Sequence, residues 1–313
     1  MDPASDHKEP VPAAEYAEKA RGAAEEDRMR ISHAVVTAAG PGQRHLPVQT
    51  LVDRDGATKA LLRIIVEEAL RAGVEEVGVV VHPGDQAAYA QAAGPVASRV
   101  TFLEQPEPRG YGDAVLRAAD FVGSSPFLHL IGEHVFITTT DRTCAAQLVA
   151  AADANDCAVS AVVPTREALL PYFGAVGGRR LSGSEDLFEI ERVIEKPTPT
   201  LAEQELVVPG LRAGHYLCFS GLHVLTPAVM RTLAAHAASL PPGERLELSP
   251  ALDELARKER YLALELDGLR YAVDAPYGLL TAQLALALTG ANRGEVLTML
   301  CRTLAELAPP AAQ

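Results

Sequence analysis

The chain has 313 residues, with 28 lysines and arginines against 41 aspartates and glutamates, a formal charge of −13. Hydrophobic residues make up 48% and charged residues 22%, the balance of a soluble globular protein with room for one large or two modest domains. The acidity argues against broad contact with nucleic acid or an anionic membrane, while leaving room for a local basic site that takes a phosphate-bearing small molecule.

Residues 1–30, rich in Ala, Glu and Pro, hold too few large apolar residues to build a core and read as a disordered tail, with at most a transient helix around "AAEYAEKARGAAEE". Next, "ISHAVVT" reads as a buried strand that runs into the glycine turn "AAGPGQRHLP". "TKALLRIIVEEALRAG" has helical apolar spacing and stops at Gly73. "EEVGVVVH" and "RVTFLEQ" are strands, "YGDAVLRAADFV" a helix, "PFLHLIGEHVF" a fourth strand, "DRTCAAQLVAAADAND" a helix and "CAVSAVVP" a fifth strand. This alternation predicts an α/β fold: a Rossmann-like, mixed but mainly parallel sheet with helices on both faces.

Between residues 172 and 224 the alternation weakens. "YFGAVGG", "DLFEIERVIEKP" and "HYLCFSGLHVL" read as strands joined by Gly- and Pro-rich loops, a strand-rich insertion or lobe on the substrate side. "LSPALDELARKER" then offers Ser249 as N-cap and Pro250 at the first helical position. The Asp267-Gly268 pair inside "YLALELDGLRYAV" signals a hairpin. Two helices, "PYGLLTAQLALAL" and "RGEVLTMLCRTLAEL", close the chain, the second within the C-terminal segment 290–313. The longest greasy stretch, "GLLTAQLALALTG", is too short to span a bilayer. Cys144, Cys157, Cys218 and Cys301 form no C-x-x-C pair and fall in apolar stretches, which reads as reduced, packed thiols and a cytoplasmic setting.

The glycine turn carries the first chemical signal. In an open α/β sheet, ligands sit beyond the carboxyl ends of the strands, and glycines there let backbone N–H groups approach phosphates. Arg44 adds a charged fork for phosphate oxygens. Neither G-x-G-x-x-G nor G-x-x-x-x-G-K-[ST] is present, so both common nucleotide motifs are disfavoured. Alone, the turn is equally a plain strand-to-loop junction.

Its companions add more, because from about Ile31 to about Leu288 the chain resembles the sugar-1-phosphate nucleotidyltransferases, in particular the bacterial UTP:glucose-1-phosphate uridylyltransferase branch. "GPGQR" and the following "LP" stand where that family has G-x-G-[TS]-R and a leucine-proline pair. Gln105 with "GYGDA" resembles its base-reading segment, "YFGAV" its Y-G-x-[VI] element, "IEKP" its E-K-P motif and "CFSGLHV" a later sugar-side strand. The resemblance implies a nucleotide site of Ala38, Ala39, Gly40, Gly42, Gln43, Gln105, Gly110 and Gly112, with Gly110 and Gly112 leaving room for the base. It implies a sugar site of Gly174, Glu195 and Gly221, and catalytic cations Arg44 and Lys196. It further implies Mg²⁺ on Glu133, with Asp274 as a second carboxylate. The implied reaction joins an NTP, by closeness UTP, to a sugar 1-phosphate, by closeness glucose 1-phosphate, within a domain spanning residues 31–289. No nucleic acid or membrane partner is implied, and a homo-oligomer is compatible with it.

Read without the resemblance, Glu133 is as well a solvated strand-end acid, Lys196 a surface lysine before Pro197, and His134 a residue at the surface or just behind the site rather than a catalyst. The chain also departs from the family pattern at charged places. Lys59 aligns poorly with the lysine that follows the leucine-proline pair, Glu133 stands for an aspartate, and "YAVDAPYG" puts Ala272 where a second aspartate belongs and Asp274 where a glycine belongs. Two expectations follow: an active enzyme whose metal site draws on Asp274, or a protein of the same fold that binds nucleotide or sugar nucleotide with weakened or no turnover.

Overall fold

The apolar run after Ile31 forms β1 (His33–Thr37), and its side chains alternate between two cores. Ala34 and Val36 join one with the helices over Leu61–Arg71 and Cys144–Asn155, while Val35 joins the other. The structure is a computed structural model that describes residues 29–307. All but the end of the tail expected over residues 1–30, and residues 308–313 of the C-terminal segment, lie outside those described.

A short hairpin, β2 (Thr50–Val52) and β3 (Thr58–Ala60), precedes α1 (Leu61–Arg71), so the predicted helix starts three residues late. Then come β4 (Glu76–Val81), α2 (Gln86–Ala93), β5 (Val100–Glu104), and two short helices, α3 (Tyr111–Leu116) and α4 (Ala119–Val122), in place of one. The predicted fourth strand is two: β6 (Phe127–Ile131) and β7 (His134–Ile137), broken at Gly132-Glu133. Gly132 donates to the Thr37 carbonyl at 2.9 Å and lies against Ala38, which leaves no space for a Cβ and turns Glu133 out of the strand.

Next are α5 (Cys144–Asn155), β8 (Ala158–Arg166), β9 (Gly174–Arg180), β10 (Leu187–Glu195), α6 (Pro199–Glu205) and β11 (His215–Leu225). The chain continues through α7 (Pro227–Ser239), α8 (Ser249–Lys258), β12 (Tyr261–Glu265), β13 (Leu269–Ala272), α9 (Gly278–Leu288) and α10 (Arg293–Leu307).

Nine strands make one sheet in the order β5-β4-β1-β6-β11-β8-β12-β10-β9. β5, β4, β1 and β6 are parallel and the sheet is mixed, as expected, but most of the strand pairings beyond those four are antiparallel. β11 enters antiparallel between β6 and β8, and β10 is antiparallel to both β12 and β9. Because only β10 and β11 run backwards, the carboxyl ends of the other seven strands share one edge. Helices cover both faces: α1 and α5 pack with Leu128 and Leu130 in one core, α3, α7 and α8 with Phe127 and Tyr261 in the other. Residues 172–224 are woven into this sheet and, together with Leu170, add a small core around Leu206 and Tyr216.

Two local expectations are corrected. Asp267-Gly268 does not close a hairpin with β12; β13 pairs with β7 instead, from Leu269↔Ile137 to Ala272↔His134. Gly268 lies so close to the Cys144 thiol and the Ile137 carbonyl that a Cβ would collide, which steers the chain away from β12. Ser249 is not an N-cap, since its hydroxyl points to Glu195. Of the cysteines, Cys144, Cys157 and Cys218 are buried free thiols as expected, whereas Cys301 is exposed. Among the described residues no helix is long and apolar enough to cross a membrane.

Candidate active site

At the common carboxyl edge, the loops after β1, β5 and β6 enclose a cavity of about 270 Å³, lined by Ala39, Gly40, Gln43, Gln105, Gly110 and Glu133 among others. The turn after β1 is folded on itself: Gln43 N–H donates to Gly40 O at 3.0 Å and Leu46 N–H to Gln43 O at 2.9 Å. The buried Tyr89 of α2 ties its two ends, its single hydroxyl hydrogen shared between the carbonyls of Ala38 (3.0 Å) and Arg44 (2.9 Å). Among the described residues, the N–H groups of Ala39, Gly40 and Gly42 donate to no backbone carbonyl. These are orphan donors of the kind that bind anions. Ala38 itself is buried, and Gly42 is exposed outside the lining.

The opposite wall is the β5–α3 turn. Gly110 has φ +119°, and a Cβ there would strike the Leu246 backbone; at Gly112 it would meet the Glu247 carbonyl at 2.8 Å. Both glycines therefore make room for the segment before α8, whose Leu246 carbonyl accepts from Gly112 N–H at 2.8 Å. Of the two, Gly110 also lines the cavity, and Gly112 does not.

A second cavity of about 790 Å³ adjoins the first, sharing Tyr111 and Ile131 with it. Gly174, Glu195, Gly221 and Asp274 line it. Ser249 Oγ donates to Glu195 Oε2 at 2.5 Å, and at Gly174 a Cβ would come within 2.9 Å of that hydroxyl and 3.0 Å of that carboxylate. Gly221 has φ +81° and sits in the register shift of β11 between Phe219 and His223, where a side chain would run into Ile131 and His134. His134 is half-buried and sits beside the site, one of the two places expected for it. Burial pushes its pKa down to about 3, Nδ1 has no hydrogen-bond partner, and the ring lines this cavity.

Glu133 and Asp274 meet where the cavities join, one lining each. Gln43 bridges the seam by donating to Asp274 Oδ2 at 3.1 Å, and Val273 N–H donates to the Glu133 carbonyl at 2.9 Å. Burial, then the negative charge of Asp274, raise the Glu133 carboxyl to about 7. Ala272, at the place the resemblance gives to an aspartate, lines the second cavity next to them. Among the described residues no group of three or more His, Cys, Asp or Glu side chains is placed to hold an ion, so the acidic pair stands by itself.

Residues 33–269 match the family model described as nucleotidyl transferase. The chain belongs to the nucleotidyl transferase family. It is 27% identical over 286 residues to the UTP–glucose-1-phosphate uridylyltransferase of Streptococcus pneumoniae serotype 4, covering 83% of this chain and 91% of that protein. Over 288 residues it is 27% identical to the enzyme of the same name from Streptococcus pyogenes, with 83% and 90% covered. In fold it is similar to a UDP-glucose pyrophosphorylase solved with UDP-glucose (21% identity, TM-score 0.66, 82% of this chain and 98% of that one). It is similar also to the UTP-bound enzyme from Acinetobacter baumannii (21% identity, TM-score 0.67, 88% and 100% covered).

In a nucleotidyl transferase the cations matter, because phosphates must be brought together. The structure places none of the expected ones against the cavities. Arg44 is engaged by Asp85, Nε to Oδ2 and Nη2 to Oδ1, both at 2.6 Å, and lines neither cavity. Lys196, in the left-handed region at φ +47°, is 58% exposed and stands 3.8 Å from Glu195 Oε1, outside both linings. Lys59 is buried in ion pairs with Asp53, Asp55 and Glu67, a structural role that removes it from the site. The arginines that do line the cavities passed unnoticed in the sequence: Arg245 in the first cavity and Arg270 of β13 in the second. Arg270 is held flat, its guanidinium 4.8 Å from the Phe173 ring centroid. "RLELSPAL" and "LRYAV" contained both arginines, but only the fold brings them to the site.

Proposed function

We propose that this chain transfers a uridylyl group from UTP to glucose 1-phosphate, releasing pyrophosphate and UDP-glucose. The observation that carries the reading is the junction of two cavities at one sheet edge, an orphan-donor glycine turn in one and the Ser249-held Glu195 in the other, with two carboxylates at the seam. The names of the two streptococcal relatives supply the base and the sugar.

The reaction needs a phosphate oxygen of the sugar to attack the α-phosphorus of the nucleotide, while the bond to the departing pyrophosphate breaks in line with it. Such a step asks the protein for position and charge compensation and for no covalent nucleophile. The Ala39 and Gly40 N–H groups face the triphosphate with Gly42 at the margin of the turn, Gln105 meets the base, and Glu195 accepts from sugar hydroxyls. Gly174 keeps the Glu195 carboxylate accessible from the cavity. Arg270, with Lys196 at the margin, offsets the charge of the sugar phosphate, and Arg245 that of the nucleotide; Arg44 braces the turn through Asp85.

Glu133 and Asp274 fit a Mg²⁺ ion. They are hard oxygen donors, one is buried and the two repel each other, and Mg²⁺ typically takes one or two protein carboxylates and fills its shell with water and substrate phosphate. When bound, the ion would neutralise phosphate oxygens. Asp274 thereby supplies the carboxylate that Ala272 cannot, and this favours the active of the two expectations. Incubation with UTP, glucose 1-phosphate and Mg²⁺ should release pyrophosphate and yield UDP-glucose by mass; no release with any NTP across a panel of sugar 1-phosphates would overturn the reading.

A further inference from the structure

Gln105 and Asp113 are both buried, 4% and 5% exposed. Gln105 Nε2 donates to Asp113 Oδ2 at 2.7 Å and to the Gly110 carbonyl at 3.2 Å. A carboxylate and a carbonyl can only accept, so both partners require the NH₂ end of the amide. The two ends of a glutamine amide are otherwise interchangeable by a half-turn and follow whatever network surrounds them. Here a charge decides. Arg117, four residues along, holds that carboxylate in turn, Nη2 to Oδ1 at 2.9 Å and Nε to Oδ2 at 3.4 Å. Both amide hydrogens are thus spent, and Oε1 is what Gln105 can offer to the cavity it lines.

We infer that Asp113, held by Arg117, is a specificity-determining positioning residue that locks Gln105 with Oε1 towards the base. The site then takes a pyrimidine whose N3, where Oε1 meets the ring, carries a hydrogen, and turns away one whose N3 carries a lone pair. Uracil has a hydrogen on N3. Cytosine has a lone pair there, which would face the lone pairs of Oε1. A glutamine free to rotate would serve either ring. The inference rests on the uridylyl-transfer reading, with Gln105 beside the base, and adds to it the origin of the choice between the two pyrimidines.

The test is kcat/KM for UTP and for CTP, with glucose 1-phosphate as acceptor, in the wild type and in Asp113→Asn. An asparagine can donate or accept, so the glutamine is released to flip. A UTP:CTP preference of about 100-fold or more is expected in the wild type, falling roughly 10-fold in the variant, with the KM for glucose 1-phosphate unmoved. Proportional loss with both nucleotides, the ratio unchanged, would overturn the inference and leave Asp113 a residue that merely holds the turn. Arg117→Gln keeps the carboxylate but loosens it; a smaller fall of the same ratio is expected there, and it serves if the first variant does not fold. An active wild type with no preference between UTP and CTP sinks the inference alone, whereas a wild type that turns over neither nucleotide with any sugar phosphate takes the uridylyl reading with it.

Discussion

The nucleotide-side cavity is walled largely by short loops that leave β1 and β5, whereas the sugar-side cavity is walled by side chains from β9, β10, β11, β13 and the start of α8. Backbone N–H groups present a fixed, uncharged set of donors that any sequence with the right glycines can supply. Side chains bring charge and shape, but each depends on a partner: Glu195 on Ser249, Arg270 on Phe173. On the proposed reading the first half holds the triphosphate largely through the backbone, with Gln105 beside the base, and the second half holds the sugar phosphate through charged side chains. Experiments can separate them.

The largest effect is expected at the seam, which belongs to both halves. Glu133→Gln should lower kcat/KM on the order of 10³-fold with little change in the affinity for glucose 1-phosphate, read by pyrophosphate release at saturating Mg²⁺. Asp274→Asn should follow it in direction. If Asp274→Asn kept full turnover, the sugar-side cavity would have no share in the metal site and the halves would be independent.

Glu133 also predicts how stability varies with pH in the metal-free chain. Its carboxyl titrates near 7 in the folded protein against 4.5 as its ordinary value. Between those values the folded chain keeps a proton that the unfolded chain has released. The stabilisation is present in full below pH 4.5 and is lost as pH rises through 7, by about 3 kcal/mol at most. Denaturant titrations at pH 5 and pH 8 should differ in this direction, and Glu133→Gln should remove that part of the difference. Mg²⁺ added at pH 8 should restore stability to the wild type and not to the variant, since the ion compensates the same buried charge.

Arg270 sharpens the contrast at a lower level. Arg270→Ala should raise the KM for glucose 1-phosphate roughly 30-fold and leave that for UTP in place, and Arg245→Ala should do the reverse more weakly, because Arg245 is the more exposed of the two. Arg270→Lys should recover only part of the loss, since an ammonium does not stack as a planar guanidinium does over Phe173. Equal effects of both arginines on both substrates would mean that the two cavities act as one.

The same contrast explains what the sequence could disclose. The glycine turn, Gln105 with Gly110, and Glu195 with Lys196 are contiguous motifs, and their order along the chain was enough to point to the family. The parallel half of the sheet was legible because β1, β4, β5 and β6 alternate with helices over short connections. β11 could not be placed, as nothing local in "HYLCFSGLHVL" says that it returns antiparallel between β6 and β8. Asp267-Gly268 misled because hairpin chemistry is local, whereas the pairing of β13 with β7 is settled by the space around Gly268. Ser249 misled in a similar way: its neighbours suit a helix cap, but a carboxylate 54 residues back claims the hydroxyl. Tyr89, Arg245 and Arg270 carry no motif at all, and their distance in sequence from the residues they serve hid them.

Arg44 is the residue on which the two kinds of reading part, and its replacement is expected to have the smallest effect. From the sequence it is a phosphate ligand; in the fold its fork is closed on Asp85, whose carboxyl it holds below the ordinary range. To reach a phosphate it would have to leave a bidentate, charge-assisted pair. Arg44→Ala should therefore lower kcat/KM for UTP only about 5-fold, through a looser turn, and Asp85→Asn should have a similar effect because it undoes the same brace. If Asp85→Asn instead tightened UTP binding while Arg44→Ala abolished turnover, the guanidinium would be a phosphate ligand that Asp85 restrains until the nucleotide arrives. The nucleotide half would then depend on a mobile charge, as the sugar half depends on a stacked one, and the division between backbone and side-chain recognition would fail at its clearest point.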